Sequence, residues 1–383
     1  MRQFSPLALS LSASLVVLSG CGALQSAATM ATAPMPAATM ATGPIPPALT
    51  PMAVRPIGPP PAWAPDIDPQ MQAIIEQLMS YEQPPLNEVT PFQARNEKSA
   101  TNAVRDLAMK SGMPPAPPLV DVAHRVLPVG PPEGILVRMY TPLAGSGPRP
   151  VIVYYHGGGW VIADLETYEA GAMALAAQTG AVVVSVAYRL APENKFPAQH
   201  DDSFAAYQWV VQNAAQIGGD PARVATAGES AGGNLAVAVA LMARERGVAL
   251  PVHILSVYPI ADGDTQSPSY TQYAEAVPLN RAGMTWFFGH TLARPADAQN
   301  PLISLVRADL AGLPPTTIVN AQIDVLTSDG EELAAALTAA RVPVERRVFS
   351  GATHEFFGMS AVLNQSVEAQ AFAAGRLRAA FGM

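Results

Sequence analysis

From about Val120 onward, short apolar runs alternate with longer amphipathic ones. Strand-length runs occupy Val122–Val126, Ile135–Tyr140, Val151–Tyr155, Ala181–Val186, Val224–Ala227, Val252–Tyr258, Thr316–Asn320 and Val344–Phe349. Helix-length stretches lie between most of them, at about 167–179, 200–216, 232–246 and 328–340, with a last one near 367–381. Nothing helical separates the first two strands, so they predict an antiparallel hairpin. The rest alternates strand and helix, which predicts a mostly parallel sheet with helices on both faces. Val151–Tyr155 and Ala181–Val186 are almost unbroken apolar runs, as strands buried on both faces should be.

Two helices are expected ahead of the first strand. Met71, Ile74, Ile75, Leu78 and Met79 share one helical face. Thr90-Pro91 opens a second helix, since Pro is tolerated in the first turn. It is expected to run to about Lys110, where Gly112 and Pro114 stop it. Folded structure thus begins near Asp66, and residues 66–118 form either a helical cap or the edge of a main domain over 119–383. Residues 262–300 carry no strand signal and contain Trp286-Phe287-Phe288, a second candidate piece of cap.

The front of the chain follows other rules. Of 38 prolines, 26 lie before residue 151, leaving 12 (38 − 26) for the rest. Residues 22–62 are Ala, Thr, Met and Pro without apolar periodicity, and read as a disordered, partly stiff spacer or as neutral filler. Residues 1–20 read as a signal peptide: Arg2 is followed by an apolar stretch from Leu7 to Leu18. Such a stretch rises ~18 Å as a helix, short of a ~30 Å hydrocarbon core. It ends in Leu18-Ser19-Gly20-Cys21, which resembles the lipobox of bacterial lipoproteins, with the single Cys of the chain at the lipidated position. The expected organisation is a signal peptide over 1–20 and a lipid-anchored linker over 21–65. The expected location is exported and membrane-anchored, facing the periplasm or the cell surface. Gly22, not an acidic retention residue, leans the choice of membrane outward.

Composition narrows the function. A net charge of −8 leaves no basic patch for nucleic acid. One Cys excludes a disulfide framework and a multi-Cys zinc site. An apolar content of 49% is too high for a wholly disordered chain and supports a sizeable core.

Four places in the chain carry chemistry. Gly228-Glu229-Ser230-Ala231-Gly232 follows a predicted strand and opens a predicted helix. This is the context of a nucleophile elbow, which exposes a Ser hydroxyl at the sheet end and at a helix N-terminus. His156-Gly157-Gly158-Gly159-Trp160 follows another strand, and its glycines let backbone N–H groups face a developing oxyanion. A phosphate-binding loop is excluded because no Gly-Lys-Ser/Thr follows. His156 itself is read as orienting the loop. A serine nucleophile needs a base and an orienting acid, in the chain order Ser, acid, His. Only His253, His290 and His354 follow Ser230. His354 lies in a loop after a strand, where a base belongs. His253 lies within a strand and His290 in the aromatic insert. Asp324 follows a strand in the same way, whereas Asp329 starts a helix, where an N-terminal charge explains it.

At these residues the chain resembles the bacterial hormone-sensitive lipase family of esterases, over about 66–383. The matching segments are His156-Gly157-Gly158-Gly159-Trp160 with Asp164, Tyr188-Arg189-Leu190-Ala191-Pro192-Glu193, Phe196-Pro197-Ala198, Asp201-Asp202 and Gly228–Gly233. Leu313-Pro314-Pro315 and Asp324-Val325-Leu326 match as well. The resemblance implies an α/β-hydrolase core, an N-terminal helical cap, no cofactor and hydrolysis of small, mostly short-chain esters. It implies Ser230 as nucleophile, His354 as base, Asp324 as orienter, and the N–H groups of Gly157, Gly158 and Ala231 as oxyanion hole. Trp160, Tyr188 and Trp286 are the candidate substrate-binding side chains. Two departures stand out. His354-Glu355-Phe356 replaces the usual His-Gly-Phe, and Asp-Val-Leu replaces Asp-Pro-Leu. A carboxylate beside the base either raises its pKa or points to solvent.

The expectation is a serine carboxylesterase for short-to-medium acyl chains. A long-chain lipase or an amidase on the same residues, and a ligand-binding protein on the same scaffold, remain the alternatives. Oligomeric state is not legible.

Overall fold

The computed structural model describes residues 51, 53–113 and 118–383. The signal segment over 1–20, lipidation at Cys21 and most of the linker over 21–65 fall outside the described residues. Eight strands form one sheet: β1 (Val120–Leu127), β2 (Ile135–Pro142), β3 (Arg149–Tyr155), β4 (Val182–Val186), β5 (Gly219–Glu229), β6 (Ile254–Val257), β7 (Thr316–Ile323) and β8 (Val344–Thr353). Their order is β1-β2-β4-β3-β5-β6-β7-β8. The β1–β2 hairpin and the β2–β4 pair are antiparallel, and every other pair is parallel. The expected α/β-hydrolase architecture is present.

The helices are α1 (Pro69–Met79), α2 (Pro91–Ala94), α3 (Ala100–Lys110), α4 (Glu169–Thr179), α5 (Ala198–Asn213), α6 (Ala231–Glu245), α7 (Pro268–Gln272), α8 (Arg281–Thr291), α9 (Thr327–Ala339) and α10 (Asn364–Ala380). Every residue of β4 is buried, as its Val-rich sequence requires between two helical layers. Helix α6 follows the central strand β5 and is buried from Ala231 to Ala243. Its small residues let it lie close under the sheet, with its N-terminus aimed at the sheet's carboxyl end.

Two expectations about the front of the body change. The helix expected from Pro91 to Lys110 is two helices. Helix α2 ends at Ala94, and Ser99 starts α3 afresh in a capping box with Asn102. The break comes from long-range bonds. Arg95 donates from Nε to the Val161 carbonyl at 2.8 Å and from a terminal nitrogen to the Ala191 carbonyl at 2.6 Å, and it pairs with Glu193 at 2.7 Å. The packed chain also starts earlier than the boundary expected at residue 65. Ile57 and Gly58 donate backbone N–H groups to Glu76 on α1, at 2.6 and 3.0 Å, and Ala64 is buried. Proline-rich composition does not preclude docking: the segment bends at Ile57-Gly58 and turns where Ala64 N–H donates to the Pro61 carbonyl at 2.9 Å.

Helix α1 is capped by Asp68, which accepts from Gln70 N at 2.8 Å. The same residue's N–H donates to the Gly351 carbonyl of β8 at 3.0 Å, so α1 is stitched to the strand that leads into His354. The 262–300 insert supplies α7 and α8. Trp286 of α8 donates its indole N–H to the Val89 carbonyl at 3.0 Å, which joins the insert to the segment between α1 and α2. Among the described residues no helix is long and apolar enough to cross a membrane.

Candidate active site

Ser230 sits between β5 and α6 with φ 58° and ψ −119°, a conformation unfavourable for any side-chain-bearing residue. Its surroundings hold it there. Ser230 N–H donates to the Val257 carbonyl at 2.8 Å, and its carbonyl accepts from Asn234 N at 3.1 Å. The flanking glycines are required by space: a Cβ at Gly228 would collide with the Gly232 carbonyl, and one at Gly232 with the Tyr155 carbonyl. The sharp turn thrusts the hydroxyl out at the end of the sheet.

His354 follows β8, and Asp324 follows β7. The His354 ring spans the two others: Nδ1 lies 2.7 Å from Asp324 Oδ2 and Nε2 lies 2.9 Å from Ser230 Oγ. An acceptor on one side and a hydroxyl on the other set the tautomer, with Nδ1–H donating to Asp324 and Nε2 accepting from Ser230. Asp324 Oδ1 accepts from Leu326 N–H at 3.0 Å, which fixes the carboxylate. Burial disfavours the imidazolium, but the charge and hydrogen bond of Asp324, with Glu355 and Glu229 behind it, outweigh burial and raise the His354 pKa above its ordinary value. Asp329, the other candidate acid, is turned away. It accepts from the N–H groups of Ala261 and Asp262, at 2.9 and 3.1 Å.

The other histidines have structural partners. Burial holds His156 neutral, with its pKa down at about 4. Its Nδ1 lies 2.9 Å from the Gly157 carbonyl, and its ring stacks on Tyr188 at 4.3 Å. His253 bonds Thr317 Oγ1 at 2.9 Å, and His290 packs edge-on against Trp286. Gly157 and Gly158 leave the end of β3 beside this histidine, and Ala231 is the first residue of α6. Gly158 has φ 89°, and a Cβ there would strike the Ile162 carbonyl.

Ser230, His354, Glu355 and Gly158 open on one cavity of about 640 Å³. One wall is apolar, with Leu86, Leu279, Met284 and Phe287. Ser99, Asn102, Thr167 and Tyr168 add polar groups to the lining. The substrate-binding expectations need correction. Trp160 is fully buried and packs beside His200 and Phe288. Tyr188 spends its hydroxyl on the His156 carbonyl at 2.7 Å. Trp286 is turned to Val89. None of the three lines the cavity, and Phe287, the next residue on α8, faces it instead. Bulk in a motif signals burial without giving its direction.

One cluster escaped the sequence. Glu229 is buried beneath the elbow, and both Tyr154 and Tyr258 donate their hydroxyls to its carboxyl. Burial pushes the Glu229 pKa up to about 8, and the two phenol bonds offset this only in part. The Tyr258 ring lies against that of His354 at 4.6 Å. Among the described residues no group of three or more His, Cys, Asp or Glu side chains could hold a metal.

A family model described as the alpha/beta hydrolase fold matches residues 152–358. This chain belongs to the α/β-hydrolase family. The hydrolase is 42% identical over 245 residues to the carboxylesterase NlhH of Mycobacterium tuberculosis, covering 61% of this chain and 75% of that protein. It is 33% identical over 240 residues to an ethyl acetate hydrolase of Pseudomonas putida, covering 61% and 74%. A thermostable esterase of Pseudomonas putida superposes with a TM-score of 0.75 at 30% identity, covering 82% of this chain and 98% of that one.

Proposed function

We propose that this hydrolase is a serine carboxylesterase that cleaves short-to-medium acyl esters of small alcohols through an acyl-enzyme. The observation that carries the reading is the continuous hydrogen-bond line from Asp324 through His354 to Ser230, opening on a ligand-sized cavity. Similarity to named carboxylesterases supports it.

In this mechanism Ser230 Oγ attacks the ester carbonyl carbon while its proton passes to His354 Nε2. Asp324 steadies the imidazolium that forms. Negative charge on the former carbonyl oxygen is met by the N–H groups of Gly157, Gly158 and Ala231, aided by the positive end of α6. The alcohol leaves with the proton from His354. Water then repeats the sequence on the acyl-enzyme, and Ser230 is restored. No step calls for a cofactor.

Ser230→Ala is expected to lower hydrolysis of p-nitrophenyl butyrate by ~10⁴-fold or more and to abolish labelling by a fluorophosphonate probe. Undiminished turnover in that variant overturns the assignment. Rates across an acyl-chain series separate the esterase from a long-chain lipase, and an anilide substrate tests amidase activity. A lipid anchor at Cys21 belongs to the same proposal, supported by the Leu18-Ser19-Gly20-Cys21 run. Cys21→Ser should release the protein from the membrane fraction.

A further inference from the structure

Glu355 directly follows the base His354. Its backbone adopts φ 71°, the left-handed region that a Gly would enter freely and a Glu enters only under strain. The side chain does not point away to bulk water. Its Oε1 accepts from Tyr168 OH at 2.5 Å and lies 3.9 Å from His354 Nε2. A quarter of the side chain remains exposed, and it lines the cavity that holds Ser230. A strained backbone here delivers a braced carboxylate to the reacting end of the imidazole, not to the Asp324 end.

Nε2 and Glu355 Oε1 are too far apart to bond directly. Their separation leaves each within ~2.8 Å of a point where one water would bridge them. That place adjoins Ser230 Oγ, itself 2.9 Å from Nε2. It is also the region an alcohol vacates when it leaves with the proton of His354.

Resting on the serine-esterase reading, we propose that Glu355 binds and orients the water that hydrolyses the acyl-enzyme. The water oxygen forms its bond to the acyl carbon. One of its protons passes to His354 Nε2, while the other stays on that oxygen and points at Glu355 Oε1. The tetrahedral intermediate then expels Ser230 Oγ, which takes the proton back from His354, and the free acid departs. Attack by water leaves a second hydrogen to be held. Attack by methanol does not, because a methyl group occupies that place.

Several titratable groups surround this carboxylate. They are His354 and Asp324 on the base side, Tyr168 below, and the Glu229 cluster with Tyr154 and Tyr258. Burial pushes the Glu355 pKa up, while His354 and the Tyr168 bond pull it down. Glu355 in turn helps to raise that of His354.

The test is stopped-flow hydrolysis of p-nitrophenyl acetate by wild type, Glu355→Gln and Glu355→Ala, with and without methanol. The first burst of p-nitrophenol is expected to keep its rate. The steady phase should slow ~10-fold as deacylation loses its oriented water, so kcat and KM fall together. The ratio of methyl acetate to acetate should rise several-fold in both variants, and the acid limb of kcat/KM should move to lower pH. Tyr168→Phe, which removes only the brace, should shift the ratio in the same direction by less. Equal slowing of burst and steady phase with an unchanged product ratio overturns the proposal, even if the variants are less stable. Ser230→Ala run alongside separates the two readings. p-Nitrophenol release that persists there sinks the esterase assignment itself, whereas an unchanged ratio in Glu355→Gln sinks only the water assignment.

Discussion

The floor of the cavity and its walls are built on different terms. On the floor, Ser230, His354 and Asp324 come from the ends of three parallel strands and are each at most 4% exposed. Every one has its backbone or side chain fixed by a further bond, and space around the elbow excludes even a methyl group. The walls come from short capped helices and turns. Met79 beside the cavity is 60% exposed, and Phe92 on the neighbouring helix α2 is 76% exposed. A rigid sheet end suits chemistry, where a shift of an ångström costs rate. Short helices on the rim suit selection, where a shift changes what fits. The two jobs are separated in space and in the elements that do them.

That separation can be broken by experiment. Asp324→Asn should lower kcat by ~10³–10⁴-fold, because the imidazole loses its tautomer and its counter-charge. Preference among acetate, butyrate and octanoate esters should stay as in wild type. A changed preference would mean the floor also selects. Gly158→Ala should cost ~10²–10³-fold in kcat, since its Cβ meets the Ile162 carbonyl and displaces a proposed oxyanion donor. Phe287→Ala on the wall should do the reverse. Its kcat should hold within about twofold, while KM for butyrate rises ~3–10-fold and longer chains gain relative to acetate. A collapse of kcat in that variant would erase the distinction.

The smallest effect concerns stability. Glu229 ordinarily titrates at 4.5, and in the folded chain at about 8. Between those values the folded state keeps a proton that the unfolded state has lost, so this group makes stability fall as pH rises. Below 4.5 both states are protonated, and above 8 the destabilisation is complete. Glu229→Gln should therefore narrow the drop in Tm from pH 4.5 to 8, measured by calorimetry. An identical Tm profile for the two proteins would show that Glu229 ionises freely.

Floor and walls also differ in how far the sequence reveals them. The elbow is legible because its constraints are local: tight turn, flanking glycines and helix start lie within five consecutive residues, 228–232. The His354–Asp324 pair is legible because each follows a strand of the alternating strand–helix pattern, Asp324 after Thr316–Asn320 and His354 after Val344–Phe349. The Glu229 cluster is not, since its phenols come from Tyr154 on β3 and Tyr258 just after β6. The helix break after Ala94 is also silent in the pattern, because carbonyls of Val161 and Ala191 impose it through Arg95. Trp160, Tyr188 and Trp286 went astray for a related reason. Which face of a helix or loop meets the cavity depends on partners that periodicity does not encode. Residues 53–65 look like free linker until Glu76 is seen to reach back to them.

Apart from residues 158–168, which continue from the oxyanion loop, most of the wall is drawn from two stretches of chain, residues 78–105 and 276–287. The first precedes every strand, and the second lies between β6 and β7. Neither interrupts the sheet. Substrate range in this scaffold can thus be treated as a pair of exchangeable cassettes. A relative's two stretches could be grafted together onto an unaltered catalytic base, provided Arg95 and Trp286, the rivets of each cassette, travel with them.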